Sequence, residues 1–279
     1  MKALTRILSL FNLLSLDVVL GSMAGMYFFS GILETSCPLL SYFLLGFAVW
    51  GIYTLDHLAD AKMAKTKAYS SRHQFHQKYF KLISVAWLFV AGIGFSFFIL
   101  FEEIHFVIIP GFILAFMMII WMGCLKWIGE KVSWLKEIST AGFYLLGINL
   151  VPWLLKNPDY NTKIYCLLLV GYLIVAYLNL LILSYMDQEG DERDRFGSIL
   201  VLLSKSQLYN FIWFLGLSGV FFLLVILFWQ PSYFRIHICL LLLMLLFHLI
   251  QFASIGKNVE TVRQKMEAVF ILPLVLLLI

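Results

Sequence analysis

Long apolar runs separated by short polar segments recur along the whole chain. Each run is about 17 to 26 residues long, and an α-helix of that length can cross the roughly 30 Å hydrocarbon core of a bilayer. Apolar residues within the runs are nearly continuous and do not alternate with polar ones, which argues against a membrane β-barrel. The pattern therefore predicts transmembrane α-helices, which satisfy their own backbone hydrogen bonds in lipid.

The runs divide the chain evenly. Eight of them lie near residues 8–33, 38–55, 82–101, 104–125, 139–155, 164–186, 208–229 and 233–254. A ninth, EAVFILPLVLLLI, begins near residue 267 and would measure roughly 20 Å as a helix. It is either an incomplete span or a segment tucked against its neighbours. The prediction is an all-α polytopic bundle of about nine transmembrane helices, forming a single membrane domain over residues 1–279.

Composition supports lipid as the main solvent of this protein. Of its 279 residues, 62% are hydrophobic and 13% are charged, whereas about a quarter of a typical soluble domain is charged. The mean hydropathy is +0.93. Exposing this much apolar surface to water would cause aggregation, so the composition excludes a water-soluble globular domain.

Basic residues indicate the orientation of the bundle. Of the 20 Lys and Arg residues, 17 fall at the N-terminus or in alternate connections, and the opposite connections hold only Lys156, Lys163 and Arg235. The positive-inside rule therefore places the N-terminus and the basic loops in the cytoplasm. We expect an integral protein of a plasma membrane, of the bacterial inner-membrane type.

Two pairs of aspartates lie where predicted spans end on the cytoplasmic side. Asp56 and Asp60 follow the second span, and Asp187 and Asp191 follow the sixth. Residues four apart share a helix face, where two carboxylates repel each other and are costly to desolvate. Mg²⁺ relieves this conflict, because it bridges one or two carboxylates to substrate phosphates. The alternative is that these acids are solvated loop residues beside basic neighbours.

The segments DHLAD and DQEGDERDRFG that carry these pairs resemble the two Asp-rich motifs of the UbiA superfamily of intramembrane prenyltransferases. The resemblance implies a helical bundle around a central cavity roofed by cytoplasmic loops. It also implies Mg²⁺-dependent transfer of a prenyl group from a polyprenyl diphosphate to an aromatic or other lipophilic acceptor. The expected partners are therefore the diphosphate donor, the acceptor and membrane lipid, without nucleic acid.

The resemblance also assigns roles to individual residues. Asp56, Asp60, Asp187 and Asp191 correspond to the catalytic metal ligands of the two motifs. Gly197 lies six residues after Asp191, two more than is usual in the family, so Asp194 is a further candidate metal ligand. Two cations are candidates for contacts to the diphosphate: Lys126, in the segment CLKW, and Arg193.

The first motif departs from the family pattern. The family usually has Asn four residues before the first aspartate, often followed by Asp, and here these places hold Ile52 and Tyr53. This departure motivates an alternative function, a non-catalytic lipid-binding relative or a transporter.

Polar residues within the predicted spans are candidates for the wall of the cavity. Asp17 lies one-third to halfway through the first span, and ionisable groups at such depth usually face an interior space. The alternative is a hydrogen-bonded or protonated structural acid. Asn149 and Asn179 either line the cavity or form interhelical hydrogen bonds. Tyr53, beside the first motif, is a further candidate.

Two histidines form an HxxH pattern in the loop after the second span. These are His73 and His76. Because no Cys or His neighbours complete a zinc ligand set, we interpret them as solvated loop residues.

Overall fold

The described residues are 10–63, 70–128, 132–194, 197–254 and 259–278 of a computed structural model. These residues form helices and contain no strand, which confirms the all-α prediction. The α-helices are α1 (Leu16–Ile32), α2 (Leu39–Met63), α3 (Ser71–Lys78), α4 (Phe80–Leu100), α5 (Ile108–Ile128), α6 (Leu135–Leu154), α7 (Thr162–Asp194), α8 (Lys205–Trp229), α9 (Ser232–Ala253) and α10 (Val259–Ala268). The 3₁₀ segments are Glu102–Val107, Ile199–Val201 and Val269–Leu278.

Each of the first eight predicted runs contains a helix, but the prediction of nine spans is not confirmed. Six helical segments of the described chain are long and apolar enough to cross a membrane, and they correspond to α2, α4, α5, α7, α8 and α9. Helix α1 is apolar but has only 17 residues. The first turn of helix α6 contains Lys136 and Glu137, which shorten its apolar part.

The last apolar run forms a 3₁₀ segment rather than an α-helix. It covers ten residues, Val269–Leu278, and spans about 20 Å at the 3₁₀ rise of 2.0 Å per residue. The segment packs along α1 and also contacts α9 and α10, and it buries Phe270 and Pro273. The segment therefore packs against its neighbours, as the second alternative for this run describes.

The centre of the bundle is formed by α1, α7, α9 and the 3₁₀ segment Val269–Leu278. Aromatic rings fill the space where α1 meets α7. The centroids of Phe28 and Phe29 lie 5.2 Å apart, and both rings contact Tyr172 at 5.6 and 5.4 Å. Helices α4 and α5 lie at the periphery, where Phe89 and Phe116 are exposed, as expected for side chains that face lipid.

Charged residues gather at one end of the bundle, which we call the polar end. It comprises the C-terminal turns of α2 and α7, the helices α3 and α10, and the first turn of α6, which are joined by the contacts described below. At the opposite end Thr35 Oγ1 donates to the carbonyl of Leu155 at 2.8 Å, and Asn157 N donates to that of Leu33 at 3.1 Å. The placement of both acidic motifs at one end agrees with the predicted alternation of the spans.

Part of the predicted loop after the second span is helical. Ser70 caps helix α3, since its Oγ accepts a hydrogen bond from His73 N at 3.1 Å. His76 is 2% exposed, and burial lowers its pKa below the usual value. The interpretation of His76 as a solvated loop residue is therefore wrong, because α3 packs on the end of α2.

The first predicted span is interrupted near its start. Residues 10–13 are helical, a turn follows, and Ser15 adopts φ 55° before α1 begins at Leu16. Asp17 consequently lies in the first turn of α1, at the polar end rather than deep in the span. The interruption lets Asn12 and Asp17 join a polar cluster described below.

Gly21→Leu is expected to separate α1 from the 3₁₀ segment Val269–Leu278. A Cβ at Gly21 would lie 2.8 Å from Phe270 Cβ, an atom that no side-chain rotation can move. We expect a loss of about 1 to 3 kcal/mol in unfolding free energy, measured as a lower thermal midpoint in detergent. The matched control is Gly92→Leu, because a Cβ at Gly92 meets nothing within 4 Å. Equal midpoints for the two variants would contradict the expected close packing.

Candidate functional site

A cavity of about 120 Å³ lies at the polar end of the bundle. Its wall combines residues from α1, α2, α3, α6, α7, α10 and the 3₁₀ segment Val269–Leu278. The polar wall residues include Tyr53, Arg72, Tyr144, Asn179, Arg263 and Glu267. Segments that are far apart in sequence therefore line one pocket with both polar and apolar walls inside a membrane-type bundle.

Both acidic motifs begin about one helical turn beyond this wall. On α2 the wall residue Tyr53 precedes Asp56 by three residues, and on α7 the wall residue Leu183 precedes Asp187 by four. Helices α2 and α7 continue through the motifs to Met63 and Asp194. The backbones of the five motif aspartates thus lie on helices rather than in loops, and none of these aspartates is among the described residues of the cavity wall.

The first acidic pair is covered by α3. Asp60 is 7% exposed, and its Oδ2 lies 3.9 Å from His73 Nε2. His57, between the two acids, contacts the rings of His73 and His76 at centroid distances of 5.7 and 5.0 Å. Asp56 is half-buried. A histidine cluster against Asp60 was not expected from the sequence, since the HxxH pattern alone does not reveal that α3 folds back onto α2.

In the second acidic pair, the side chain of Asp187 is described and that of Asp191 is not. Asp187 is half-buried and forms an ion pair with Arg263 of α10. The backbones of Asp191, Arg193 and Asp194 continue α7, but their side chains lie outside the described part of the structure, as does the side chain of Lys126 in α5. The assignments made to these four residues stay predictions.

The described side chains do not by themselves build a closed metal site. Among them there is no group of three or more His, Cys, Asp or Glu residues that could hold a metal ion. Asp56 and Asp60 supply hard oxygen donors from consecutive turns of α2, which suits Mg²⁺, a cation commonly held by one or two carboxylates together with phosphate oxygens and water. The donor set therefore fits a metal that arrives with a phosphorylated ligand.

A buried polar network ties three distant segments together and includes two residues of the cavity wall. Arg72 Nη2 donates to Glu267 Oε2 at 2.8 Å and to Asn12 Oδ1 at 3.2 Å. Asn12 Nδ2 in turn donates to Glu267 and to Asp17. Burial disfavours the charge of the guanidinium, but the Glu267 carboxylate outweighs this effect and holds the pKa of Arg72 above its usual value. The network joins the first segment, α3 and α10.

The wall residues Arg72, Arg263 and Glu267 were missed as candidates in the sequence. The available signal was the segment VETVRQKMEA before the last apolar run, where Arg263 and Glu267 lie four residues apart. Residues at this spacing share one helix face. Only the folded chain shows that this face of α10 points at the cavity.

The four cavity candidates have different places in the structure. Tyr53 and Asn179 line the cavity. Asp17 and Asn149 are not among the described wall residues. Asp17 lies behind the wall in the polar network, and Asn149 Oδ1 accepts a hydrogen bond from Tyr165 OH of α7 at 3.3 Å. Asn149 therefore has the interhelical role that was the alternative for it.

Glu137 holds the chain that follows the second motif. It is 4% exposed, and its Oε1 accepts hydrogen bonds from Ser184 Oγ at 2.7 Å and from Ile199 N at 2.9 Å. One carboxylate oxygen of α6 thereby connects two segments. These are α7 just before Asp187 and the 3₁₀ turn Ile199–Val201 that follows the motif. This residue positions the second motif and was not recognised in the sequence.

No family model, curated protein or solved structure matches this chain. The similarity to the UbiA superfamily therefore rests on the two Asp-rich segments and on their positions in the chain. A function for the protein has to be inferred from the geometry and chemistry of the cavity.

Proposed function

We propose that this protein is an intramembrane prenyltransferase, which transfers a prenyl group from a polyprenyl diphosphate to an aromatic or other lipophilic acceptor. The observation that carries the proposal is that both acidic motifs adjoin one cavity at one end of an apolar helical bundle. A prenyl diphosphate has a charged head and an apolar chain, so it needs a polar site that opens into an apolar environment. The positive-inside rule places this end in the cytoplasm.

Arg263 of the cavity wall supports a phosphorylated ligand, and Arg72 adds a second positive charge to the same wall. Arg72 and Arg263 come from α3 and α10 and line the same cavity. The Nε of Arg263 is buried and has no hydrogen-bond partner among the described residues. Arginine binds phosphate groups through parallel N–H donors. An incoming diphosphate would satisfy this Nε and compete with Asp187 for the guanidinium.

Mg²⁺ is the proposed cofactor. Asp56 and Asp60 would hold it on α2, and Asp187, Asp191 and Asp194 are the proposed ligands on α7. When bound, the ion neutralises negative charge that develops on the departing diphosphate.

In the proposed reaction the bond between the allylic carbon and the diphosphate oxygen breaks, and its electron pair leaves with the diphosphate. A nucleophilic atom of the acceptor then bonds to the allylic carbon and releases a proton. Arg263 stabilises the leaving diphosphate as its charge rises. The apolar wall, which includes Val18, Ala176 and Leu180, limits the access of water to the allylic cation.

The test is a single-turnover assay of the purified full-length protein with a radiolabelled prenyl diphosphate and a panel of lipophilic acceptors. We expect Mg²⁺-dependent release of diphosphate together with a labelled product, and loss of both after chelation with EDTA. Bound donor that is never cleaved with any acceptor would contradict the proposal.

A second candidate function is a non-catalytic lipid-binding relative or a transporter. The ion pair between Arg263 and Asp187 favours it, because this pair occupies one of the motif carboxylates. Ile52 and Tyr53 also favour it, because they depart from the family pattern of the first motif. The same assay separates the two candidates, because this second function requires saturable binding of the donor without release of diphosphate.

A further inference from the structure

His248 of α9 packs directly behind the cavity wall. It is completely buried, and its Nε2 lies 3.2 Å from the side-chain amide of Asn179, which is a wall residue. The His248 ring also packs edge-on against Phe270 of the wall, with centroids 5.6 Å apart. Neither motif includes this histidine, and the proposed chemistry does not use it.

The other ring nitrogen of His248 fixes its tautomer. Nδ1 lies 2.7 Å from the backbone carbonyl oxygen of Met244. A carbonyl oxygen can only accept a hydrogen bond, so Nδ1 carries the proton. The two described hydrogen-bond partners of the ring are this carbonyl and a neutral amide, which cannot compensate a buried positive charge. The ring is therefore neutral, and Nε2 offers only a lone pair.

This tautomer determines how the Asn179 amide is oriented. The oxygen and nitrogen of an amide are assigned from the hydrogen bonds that they make. The structure places Oδ1 at this position, but because Nε2 of His248 can only accept, we assign the amide atom facing it as the donor Nδ2. The oxygen Oδ1 of Asn179 then takes the position on the opposite side of the Cβ–Cγ bond, where this wall residue is available to the cavity. An amide oxygen accepts hydrogen bonds and cannot donate them.

We infer that Asn179 determines the specificity of the cavity, because its Oδ1 selects a ligand that carries a hydroxyl or N–H group at this point. His248 is the positioning residue that holds the amide in this orientation. The inference rests on the proposed function only in identifying this ligand as the acceptor. Selection of the ligand by Asn179 does not require a transfer reaction. The inference restricts the possible acceptors to molecules with a hydrogen-bond donor that faces α7.

Two small probes of matched shape test the inference. A cavity of about 120 Å³ is similar in size to an engineered cavity of roughly 150 Å³ that binds benzene, so single-ring compounds are suitable. The probes are p-cresol and p-xylene, which differ only by a hydroxyl in place of a methyl group. Their dissociation constants are measured by calorimetry with the full-length protein in detergent, for wild type, Asn179→Leu and His248→Phe.

The preference is expressed as the ratio of the two dissociation constants. We expect this ratio to favour p-cresol about tenfold more strongly in wild type than in Asn179→Leu, because wild type forms one additional buried hydrogen bond to an otherwise unsatisfied acceptor. Comparing the ratio between proteins cancels the partition of the probes into detergent. His248→Phe should lose most of the preference, because Asn179 is then free to rotate. Equal ratios for wild type and Asn179→Leu, or no binding of p-cresol to wild type, would overturn the inference.

The tautomer is tested separately in wild type, so the inference stays falsifiable if a variant does not fold. Nitrogen-15 spectra of histidine-labelled protein should contain a resonance pair with a protonated Nδ1 and an unprotonated Nε2. The His248 signals are the ones that disappear in His248→Phe or, if that variant does not fold, in His248→Gln. A protonated Nε2 would overturn the orientation of Asn179. Neither the probe ratio nor the tautomer measurement depends on release of diphosphate. A failure of the inference is therefore distinguishable from a failure of the proposed enzymatic function.

Discussion

Asp60→Asn and Asp187→Asn are each expected to lower the rate of prenyl transfer by at least about 100-fold, the effect of removing one electrostatic partner of a developing anion. Asp187 lies about one turn beyond the cavity wall on α7, and Asp60 lies about two turns beyond it on α2. Asparagine keeps the shape of the side chain but removes its negative charge and weakens its affinity for Mg²⁺. The measurement is the single-turnover rate of diphosphate release at saturating Mg²⁺.

A matched control separates this effect from a general effect of losing an acid. Asp159→Asn makes the same chemical change at an exposed position near Asn157, at the opposite end of the bundle. We expect the Asp159→Asn rate to equal the wild-type rate, and thermal midpoints in detergent should show that all three variants are folded. If Asp60→Asn and Asp187→Asn also release diphosphate at the wild-type rate, neither residue has the role assigned to it.

Arg72→Met is expected to destabilise the protein by about 3 to 5 kcal/mol, the usual cost of leaving one member of a buried ion pair without its partner. Glu267 is 6% exposed and would lose the cation 2.8 Å away. Asn12 would lose a donor to its Oδ1 in the same step. The measurement is the unfolding free energy from denaturant titration in mild detergent, with the thermal midpoint as a second readout.

A double variant tests whether the loss comes from the unpaired charge. Arg72→Met combined with Glu267→Gln removes both charges, and we expect it to recover a large part of the stability lost by Arg72→Met alone. Arg235→Met is the control, since Arg235 is exposed and its Nε donates to a backbone oxygen, the Gln230 carbonyl at 3.3 Å. If Arg72→Met is as stable as Arg235→Met, the network does not hold α3 and α10 in place.

The position of this network has a consequence for the site. The peripheral helices α3 and α10 supply both arginines of the cavity wall, and each is held by a carboxylate, Arg72 by Glu267 and Arg263 by Asp187. The two pairs differ in exposure, since the Asp187 side chain is 32% exposed and the Glu267 side chain 6%. Arg263 is therefore the arginine that can change partners when an anion enters, whereas Arg72 has mainly a structural role.

The sequence alone determined the all-α fold, the approximate positions of eight helices and the location of both acidic motifs at one end. These features depend on local physics, because a long apolar run in lipid must satisfy its own backbone and therefore forms a helix. The same reasoning predicted about nine spans, of which six are long and apolar enough to cross a membrane in the described chain. Run length does not reveal that the run after residue 268 is a 3₁₀ segment packed on α1.

Only the tertiary structure decided which polar residues meet at the cavity. Arg72, Arg263 and Glu267 look like ordinary charged residues of connecting segments, and Asn149 and Asn179 look equivalent within their spans. Packing separates them, since α3 and α10 fold back over the ends of α2 and α7 while Asn149 contacts Tyr165. A hydrogen bond or ion pair between segments up to 255 residues apart leaves no periodic signal in a single sequence, because its geometry exists only after the helices have packed.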